Sequence, residues 1–234
     1  MSEQFSRTEL LLGSEAMERL RRAKVAVFGI GGVGGYAVEA LARSGVGDLS
    51  LIDKDTVDVT NLNRQIIALH STIGRDKTEV MRERIMDINP SCQVQTHQCF
   101  YLPETKDRFD FSQYDYIVDA VDTVTAKIQL VMEAERCGTP IISSMGAGNK
   151  LDPAAFQVAD LYETSVCPLA KVMRRELKRR GVKQLKVVYS REEVIHPSFA
   201  EGEKMVPGSN AFVPSVAGLI LASEVIRDLT LFCR

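Results

Sequence analysis

A glycine-rich turn, GIGGVGG at residues 29–35, directly follows the apolar run KVAVF. Such a turn between a buried strand and a helix lets the backbone approach phosphate groups, and the helix N-terminus attracts their negative charge. Gly29, Gly31 and Gly34 match the G-x-G-x-x-G spacing, and Asp53 lies nineteen residues after Gly34. An acid at about that distance binds ribose hydroxyls in dinucleotide folds. The feature favours a nucleotide-binding α/β fold, and taken alone it favours NAD.

The segments after this turn alternate between strand and helix patterns. Strands are predicted at 24–30, 48–53, 93–100, 114–122 and 140–146. Helices are predicted at 36–45, at 76–90 and between the last two strands. Asp76 is expected to cap the second helix, with Glu79 completing a capping box. The alternation predicts a doubly wound, mostly parallel, Rossmann-like sheet that binds ligands at the carboxyl ends of its strands.

The pattern changes after Gly148. Two strand-like segments, 154–163 and 184–190, flank a basic helix at 168–180, and an apolar helix follows at 214–229. We interpret this half as a strand-helix-strand extension of the same domain. The chain is then one domain of residues 1–234, with a nucleotide-binding part at 1–150 and an extension at 151–234 that carries the basic helix and the C-terminal apolar helix.

Composition excludes several classes of protein. The net charge is −2, so nucleic-acid binding needs a local basic patch. The five cysteines are odd in number and form no C-x-x-C pair, which disfavours a disulfide framework or a four-cysteine zinc site. The apolar stretch AFVPSVAGLILA is shorter than the ~20 residues of a membrane helix. We expect a soluble cytoplasmic protein that does not bind membranes.

The stretch DKDTVDVTNLNRQIIALHSTIGRDK, residues 53–77, changes the assignment of the nucleotide. Two acids end the second strand, a loop brings two amides and a cation, and a second cation begins the next helix; these residues are Asp53, Asp55, Asn61, Gln65, Arg64 and Lys77. A cation at a helix N-terminus is unfavourable unless an anion arrives. A triphosphate needs two such cations while its phosphorus is attacked, and NAD does not. The alternative is that Arg64 and Lys77 are solvated charges paired with Asp76 and Glu79.

Asp122 ends the third core strand in this prediction. A carboxylate there is able to ligate a Mg²⁺ ion that bridges phosphates. It is equally able to cap the following helix. The residues alone leave both roles open.

Taken together, five segments resemble the adenylyltransferases related to ubiquitin-activating enzymes, a family that includes activators of sulfur-carrier proteins for molybdopterin and thiamine synthesis. The resemblance covers about residues 5–150 and is carried by FSRTELLLG, GIGGVG, LIDKDTVDVTNLNRQ, GRDK and DAVD. It implies ATP and Mg²⁺ as cofactors. It also implies a homodimer, and it leaves open whether a sulfur-transfer protein is a further partner.

The resemblance assigns roles position by position. It places Gly31 and Gly32, within the loop that Gly29 and Gly34 shape, at the phosphates, and Asp53 at the ribose. It implies that the triphosphate is surrounded by Asn61, Arg64, Gln65 and Lys77, with Asp55 beside them, and that Asp122 holds Mg²⁺. Arg7 resembles the arginine that reaches into the partner subunit's site in homodimers of the family. The implied catalytic residues are therefore Arg64, Lys77 and Arg7.

Within the family, GVGDLSLIDKD, NRQIIALHSTIGRDKTEVM and GAGNKLDP resemble the branch that dehydrates threonylcarbamoyladenosine in tRNA. Members of this branch adenylate the threonyl carboxylate with ATP, and the carbamoyl group of the same side chain then closes a ring. Intramolecular attack carries a high effective concentration. The alternatives are adenylation of the C-terminal glycine of a ubiquitin-like carrier protein, and an NAD-binding oxidoreductase.

Two further features stay open. Cys167 precedes Pro168 at a predicted helix start, where a thiol is either a nucleophile or a small buried side chain. The following helix, LAKVMRRELKRRG, carries cations at helical spacing, continued by later lysines, that either contact RNA phosphates or form a solvated face. These cations are Lys171, Arg174 or Arg175, Lys178, Lys183 and Lys186.

Overall fold

The computed structural model describes residues 3–195 and 207–231. Seven helices of more than one turn are α1 Ser6–Leu12, α2 Ser14–Arg22, α3 Gly34–Arg43, α4 Lys77–Ile88, α5 Val124–Cys137, α6 Pro168–Arg179 and α7 Val213–Leu231. The seven strands of the described residues are β1 Lys24–Phe28, β2 Asp48–Ile52, β3 Gln93–His97, β4 Tyr116–Asp119, β5 Ile141–Ser144, β6 Phe156–Asp160 and β7 Lys186–Ser190.

All seven strands belong to one sheet with the order β3-β2-β1-β4-β5-β7-β6. Every neighbouring pair is parallel except β6 with β7. From β1 to β3 successive strands are added on one side of β1, and from β4 onward they are added on the other side. Open α/β sheets have their ligand crevice at such a point, here between β1 and β4. This confirms the predicted doubly wound, mostly parallel fold, in which the extension adds β7 and β6 to the same sheet.

Helices cover both faces of the sheet, which explains why β1 is apolar at every position after Lys24. Val25 and Val27 face a core shared with α2, α3, α4 and α7. Ala26 and Phe28 face the opposite core, which contains α5 and an aromatic cluster around Phe111. A third cluster packs α6 against β7. Alternate residues of one strand therefore fill two cores, as a strand buried on both faces must.

The helices α1 and α2 were not predicted from the sequence. Only α2 carries an apolar stripe, formed by Ala16, Met17 and Leu20, and it packs against α7. The seven residues of α1 include no buried side chain. A short exposed helix has no buried face and therefore no periodic signal to read.

The structure corrects the predicted end of β4 and the predicted capping box of α4. β4 stops at Asp119 because its carboxylate accepts a hydrogen bond from the Val121 N–H (3.2 Å), which turns the chain. Asp122 therefore lies in the loop before α5. Asp76 sits at the N-cap of α4 without a side-chain capping bond, and Glu79 accepts instead from the Thr96 hydroxyl (2.5 Å) on β3.

Candidate active site

A cleft of about 820 Å³ opens at the carboxyl ends of the strands. The segments after β1, β2, β4 and β5 all contribute to its wall, as does the chain at residues 207–209. The cleft therefore occupies the crevice where the direction of the sheet changes. Ten of the predicted site residues line it: Gly29, Gly31, Gly32, Asp53, Asp55, Asn61, Arg64, Gln65, Lys77 and Asp122.

The glycine-rich turn combines two tight positions with two open ones. A Cβ on Gly34 would lie 1.7 Å from the Gly29 carbonyl oxygen, and Gly29 itself has φ +89°. By contrast, a Cβ on Gly31 would meet nothing closer than 3.8 Å. The N–H groups of Gly31 and Gly32 donate to no acceptor among residues 3–195 and 207–231. Gly29 and Gly34 thus form the turn, while Gly31 and Gly32 leave a backbone surface that an anion is able to reach.

Asp53 holds the turn in place through its carboxylate. One oxygen accepts from the Ile30 N–H (2.6 Å) and the other from the Asp55 N–H (2.9 Å). The side chain at the end of β2 is thereby tied to the segment after β1. The hydrogen bond between Asp53 and Ile30 fixes the two walls of the cleft relative to each other.

The loop after β2 presents its polar side chains to the cleft because a capping box at Asp58 folds it. Asn61 Oδ1 accepts from the Asp58 N–H (3.1 Å), and Asn61 is buried. Arg64 donates to the Thr60 carbonyl (2.9 Å) and to Asn63 (2.9 Å), and it has no carboxylate within 4 Å in the described part of the chain. Within residues 3–195 and 207–231, no acid therefore neutralises the Arg64 charge.

Two buried groups of this wall have spare bonding capacity. Gln65 is buried, and its Oε1 has no hydrogen-bond partner among the described residues. The Lys77 side chain is 7% exposed and its Nζ lies 3.1 Å from Asp55 Oδ2. The alternative that Lys77 pairs with Asp76 or Glu79 on the surface is wrong. An ammonium with one carboxylate neighbour retains donors for a phosphate.

Asp122 is exposed at the mouth of the cleft. It accepts one long hydrogen bond, 3.2 Å, from the Thr123 hydroxyl. Thr123 occupies the N-cap of α5, and neither residue makes a side-chain capping bond there. No group of three His, Cys, Asp or Glu side chains able to hold a metal occurs in the described residues. A lone, solvated carboxylate fits Mg²⁺ bound through one protein ligand and substrate phosphates.

Arg7 is the catalytic prediction that the structure does not bring to the cleft of its own subunit. It is exposed on α1 and does not contribute to the cleft wall. Leu10 and Leu11, which share its helix face at i+3 and i+4, are 87% and 86% exposed. This face is therefore an apolar surface with a cation beside it.

The sequence did not reveal a buried ion pair beneath the cleft. Lys127 Nζ lies 3.0 Å from both carboxylate oxygens of Asp119 and 3.3 Å from the Ser143 hydroxyl, which also donates to Asp119. All three residues are fully buried. The sequence did contain a sign that Lys127 is buried. Lys127 precedes the buried Leu130 and Val131 by three and four residues, so it lies on the apolar face of α5.

Lys150 and Cys167 complete the far wall of the cleft. Lys150 is 3% exposed and donates to the Glu192 carbonyl (2.5 Å). Cys167 is 2% exposed at the N-cap of α6 and follows Val166, whose φ of +62° is strained for a β-branched residue. Burial raises the pKa of Cys99, a third residue of the wall, so this thiol stays protonated near neutral pH.

The structure separates the cations of the basic helix. Arg174 donates to the carbonyl (2.9 Å) and hydroxyl of Thr164 and so ties α6 to the preceding loop. Lys186 lies 2.7 Å from Asp228 on α7. These two residues are therefore not part of a solvated basic face. The exposed cations of the helix itself include Lys171, Arg175 and Lys178.

Of the five cysteines, Cys233 lies outside the described residues. Among the helices that the structure describes, none has the length and apolar character needed to cross a bilayer.

Known proteins similar to this chain share both its sequence and its fold. The tRNA threonylcarbamoyladenosine dehydratase of Bacillus subtilis (strain 168) is 48% identical over 98% of this chain and 95% of the relative. The dehydratase of Escherichia coli (strain K12) is 36% identical over 97% and 93%. A crystal structure of the E. coli enzyme in complex with ATP superposes with a TM-score of 0.91, at 36% identity, over 98% of this chain and 95% of that one.

The profile of the ThiF family matches residues 5–232. This match extends through β6, α6, β7 and α7, well beyond the 5–150 that the motifs cover. The resemblance found in the motifs is thereby confirmed, and the chain belongs to the ThiF family.

Proposed function

We propose that this chain is an ATP-dependent tRNA threonylcarbamoyladenosine dehydratase that works as one adenylating domain. The observation that carries the proposal is the similarity to named dehydratases along almost the whole chain, including a homologue crystallised with ATP. The cleft supports it, because the open backbone of Gly31 and Gly32 and two cations, Arg64 and Lys77, line the same cavity. Neither a carrier-protein activator nor an NAD oxidoreductase is favoured by these relatives.

The first chemical step joins the threonyl carboxylate to AMP. A carboxylate oxygen attacks the α-phosphorus of ATP, the bond to the β-phosphate oxygen breaks, and pyrophosphate leaves. Arg64 and Lys77 offset the negative charge that accumulates on the phosphate oxygens. Asp53 orders the loop and contributes to ribose binding, while Asn61, Gln65 and Asp55 line the phosphate path. A carboxylate is a poor electrophile, and adenylation gives it a good leaving group.

The second step closes the ring. An atom of the carbamoyl group on the same side chain attacks the activated carbonyl carbon, the bond to AMP breaks, and a proton is released. The carboxylate oxygen leaves on AMP, so the nucleoside loses the elements of water. Because nucleophile and electrophile belong to one side chain, the enzyme needs only to hold them and exclude water.

The proposal includes a Mg²⁺ ion that Asp122 would hold. The ion supplies charge neutralisation at the phosphates when it is bound, and Asp122 is the protein ligand. Its exposed carboxylate at the cleft mouth supports this role. The reaction is of the ligase type in its use of ATP, and it takes place in the cytoplasm, where tRNA and ATP are both available.

The proposal includes a homodimer in which Arg7 completes the partner's cleft. Leu10 and Leu11 are almost fully exposed, and an apolar pair on a helix face is a typical contact between subunits. Because Arg7 shares that face, burying the leucines against a second copy carries its guanidinium onto that copy. A sulfur-transfer partner has no supporting contact among the described residues and is not part of the proposal.

The test uses purified protein, ATP with Mg²⁺, and tRNA that carries threonylcarbamoyladenosine. Nucleosides are digested and analysed by mass spectrometry, and AMP and pyrophosphate are measured in parallel. We expect a nucleoside lighter by one water and equimolar AMP. Arg64→Ala, which removes a cleft cation, is expected to abolish both. Formation of neither product by the native protein would reject the proposed function.

A further inference from the structure

A second concavity lies between α5 and α6, beside the active-site cleft. It measures about 770 Å³ and has walls from both helices and from the loop at residues 103–106. We call it the α5–α6 groove. At the start of α5, the N-cap Thr123 lines the cleft while the adjacent Val124 lines the groove, and on α6 Leu169 lines the cleft while Val172 lines the groove. The groove thus lies next to the cleft, on the other side of the first turns of these two helices.

The walls of the groove carry more cations than acids. Lys106, Arg136, Arg175 and Arg180 line it together with two acids, Glu133 and Glu176, which leaves a formal charge of +2. Glu176 contacts both Arg175 (3.0 Å) and Arg180 (2.9 Å) and so holds two guanidinium groups at one place. These bonds lower the pKa of Glu176, with Arg180 as the largest cause, so the acid stays ionised.

Further cations continue this charge along the rim. Lys171, Arg175 and Lys178 share one face of α6 at i, i+4 and i+7, and all three are exposed. Neither Lys171 nor Lys178 has a carboxylate within 4 Å in the described ranges. Since the whole chain has a net charge of −2, this cluster is a local excess that attracts a polyanion.

The floor of the groove is apolar. Val124, Ile128, Met132 and Val172 line it and are only partly buried. An apolar floor between cationic walls suits a nucleotide strand, whose bases and riboses pack on apolar side chains while its phosphates contact cations. An acidic protein would also match the cations, but the similarity to tRNA threonylcarbamoyladenosine dehydratases favours a nucleic acid.

We propose that the α5–α6 groove binds the tRNA strand that flanks the modified nucleoside while that nucleoside occupies the cleft. The inference rests on the proposed function, because it takes tRNA as the substrate. The position of the groove beside the cleft, at the first turns of α5 and α6, is the deciding observation, since the substrate residue in the cleft is covalently joined to the nucleotides beside it. The groove therefore determines affinity for tRNA and leaves the adenylation chemistry to the cleft.

The test neutralises one cation on each wall with Lys106→Gln and Arg175→Gln together. The Arg175 side chain is 68% exposed and neither residue lines the cleft, so folding and ATP binding should be unaffected. We expect tRNA to bind roughly tenfold more weakly, with the slope of log affinity against log salt reduced by about 1.5. The KM for tRNA rises and kcat is retained.

The matched control removes two other exposed cations, Arg21→Gln and Arg22→Gln on α2, and should bind tRNA as the native protein does. Gln129→Lys adds a cation to the groove and should tighten binding, an effect that damage to the fold does not produce. Unchanged tRNA affinity and salt slope in the double variant would overturn the proposal. Loss of an acidic protein partner with unchanged tRNA affinity would also overturn it, and would assign the groove to that partner.

The two proposals fail in different ways. Native protein that forms no dehydrated nucleoside contradicts the proposed function. Native protein that forms it, together with a double variant whose KM for tRNA is unchanged, contradicts only the role of the groove.

Discussion

Lys77 is the residue whose surroundings most clearly indicate an anionic ligand. A buried ammonium is costly unless it is paired, and Asp55, the one carboxylate near Lys77 among the described residues, is half exposed at the cleft. The phosphates of ATP would give Lys77 a second anion without moving it. The ion pair therefore keeps the cation at the cleft wall before the nucleotide arrives.

Lys77→Met should lower the rate of ATP–pyrophosphate exchange by about 10²–10³, the loss typical of removing one group that stabilises transition-state charge. Stability should change little, because the freed Asp55 carboxylate is solvated. Arg82→Gln, an exposed cation on the same helix, is the control and should exchange at the native rate. Native exchange by Lys77→Met would remove Lys77 from the mechanism.

Cys167 should be dispensable for the chemistry. Its thiol is buried, it packs in the cluster between α6 and β7, and the ring-closing nucleophile already belongs to the substrate. Cys167→Ser should therefore retain most of the dehydratase activity, whereas loss of a covalent nucleophile costs several orders of magnitude. Single-turnover formation of the dehydrated nucleoside measures the difference. A collapse to background in a folded Cys167→Ser protein would show that the thiol takes part.

At the scale of residues, the sequence indicated which cations share a helix face but not which group each cation contacts. The spacing from Lys171 to Lys178 predicted a helix face, and the helix is there. It could not show that Arg174 is committed to Thr164, or that Lys186 meets Asp228 on α7, because both contacts depend on how distant segments pack. Lys77 was located by its position at a helix start, where a cation is locally unfavourable.

At the scale of single elements, the buried ion pair joins β4, β5 and α5. Lys127 reaches from the first turns of α5 to Asp119 at the end of β4, and Ser143 adds a contact from β5. Asp119 also accepts from the Val121 N–H, so the loop that carries Asp122 starts from this anchor. The position of the proposed Mg²⁺ ligand thus depends on residues that never touch the nucleotide.

Lys127→Met should destabilise the protein by about 3–5 kcal/mol, because it leaves the Asp119 carboxylate buried without its partner. Adding Asp119→Asn removes the uncompensated charge and should recover part of the loss. Urea unfolding followed by circular dichroism measures both variants, with the exposed Lys183→Met as the control. A Lys127→Met protein as stable as the native one would show that the buried Asp119 carboxylate does not need Lys127 as its partner.

Helices and strands with a clear pattern of apolar residues were predictable from the sequence. Features that depend on contacts with other segments were not. The helices α3 to α7 and all seven strands follow from runs of apolar residues and from turn residues. The early end of β4 was missed because DAVD continues the apolar pattern, while the strand is stopped by the side chain of Asp119. The antiparallel pairing of β6 was equally unreadable, since alternation gives no strand direction.

At the scale of the whole molecule, the sheet explains why distant segments form one site. Four strand ends converge on the cleft, and α5 and α6, the helices that follow β4 and precede β7, have residues in both the cleft and the groove. The alternation of elements predicted a doubly wound sheet, and the observed order β3-β2-β1-β4-β5 belongs to that class. The exposed α1 face could not be predicted, because α1 contains no buried side chain.

Subunit complementation tests whether a second copy of the chain supplies Arg7 to the cleft. Arg7→Ala and Arg64→Ala should each be inactive as pure proteins, the first because the partner's cleft lacks its guanidinium and the second because its own cleft does. In a mixed dimer the cleft of the Arg7→Ala subunit keeps Arg64 and receives Arg7 from the other subunit. After equal mixing and subunit exchange, random pairing restores about a quarter of the native sites.

Leu10→Glu with Leu11→Glu in both partners should abolish this recovery, because charges on the α1 face prevent the subunits from associating. Light scattering should then report monomers. If the two inactive proteins stayed inactive after exchange, although mixed dimers were detected by mass spectrometry, Arg7 would have no role across the interface. If Arg7→Ala were active alone, the cleft would be complete within one subunit, and the exposed leucines would need a different explanation.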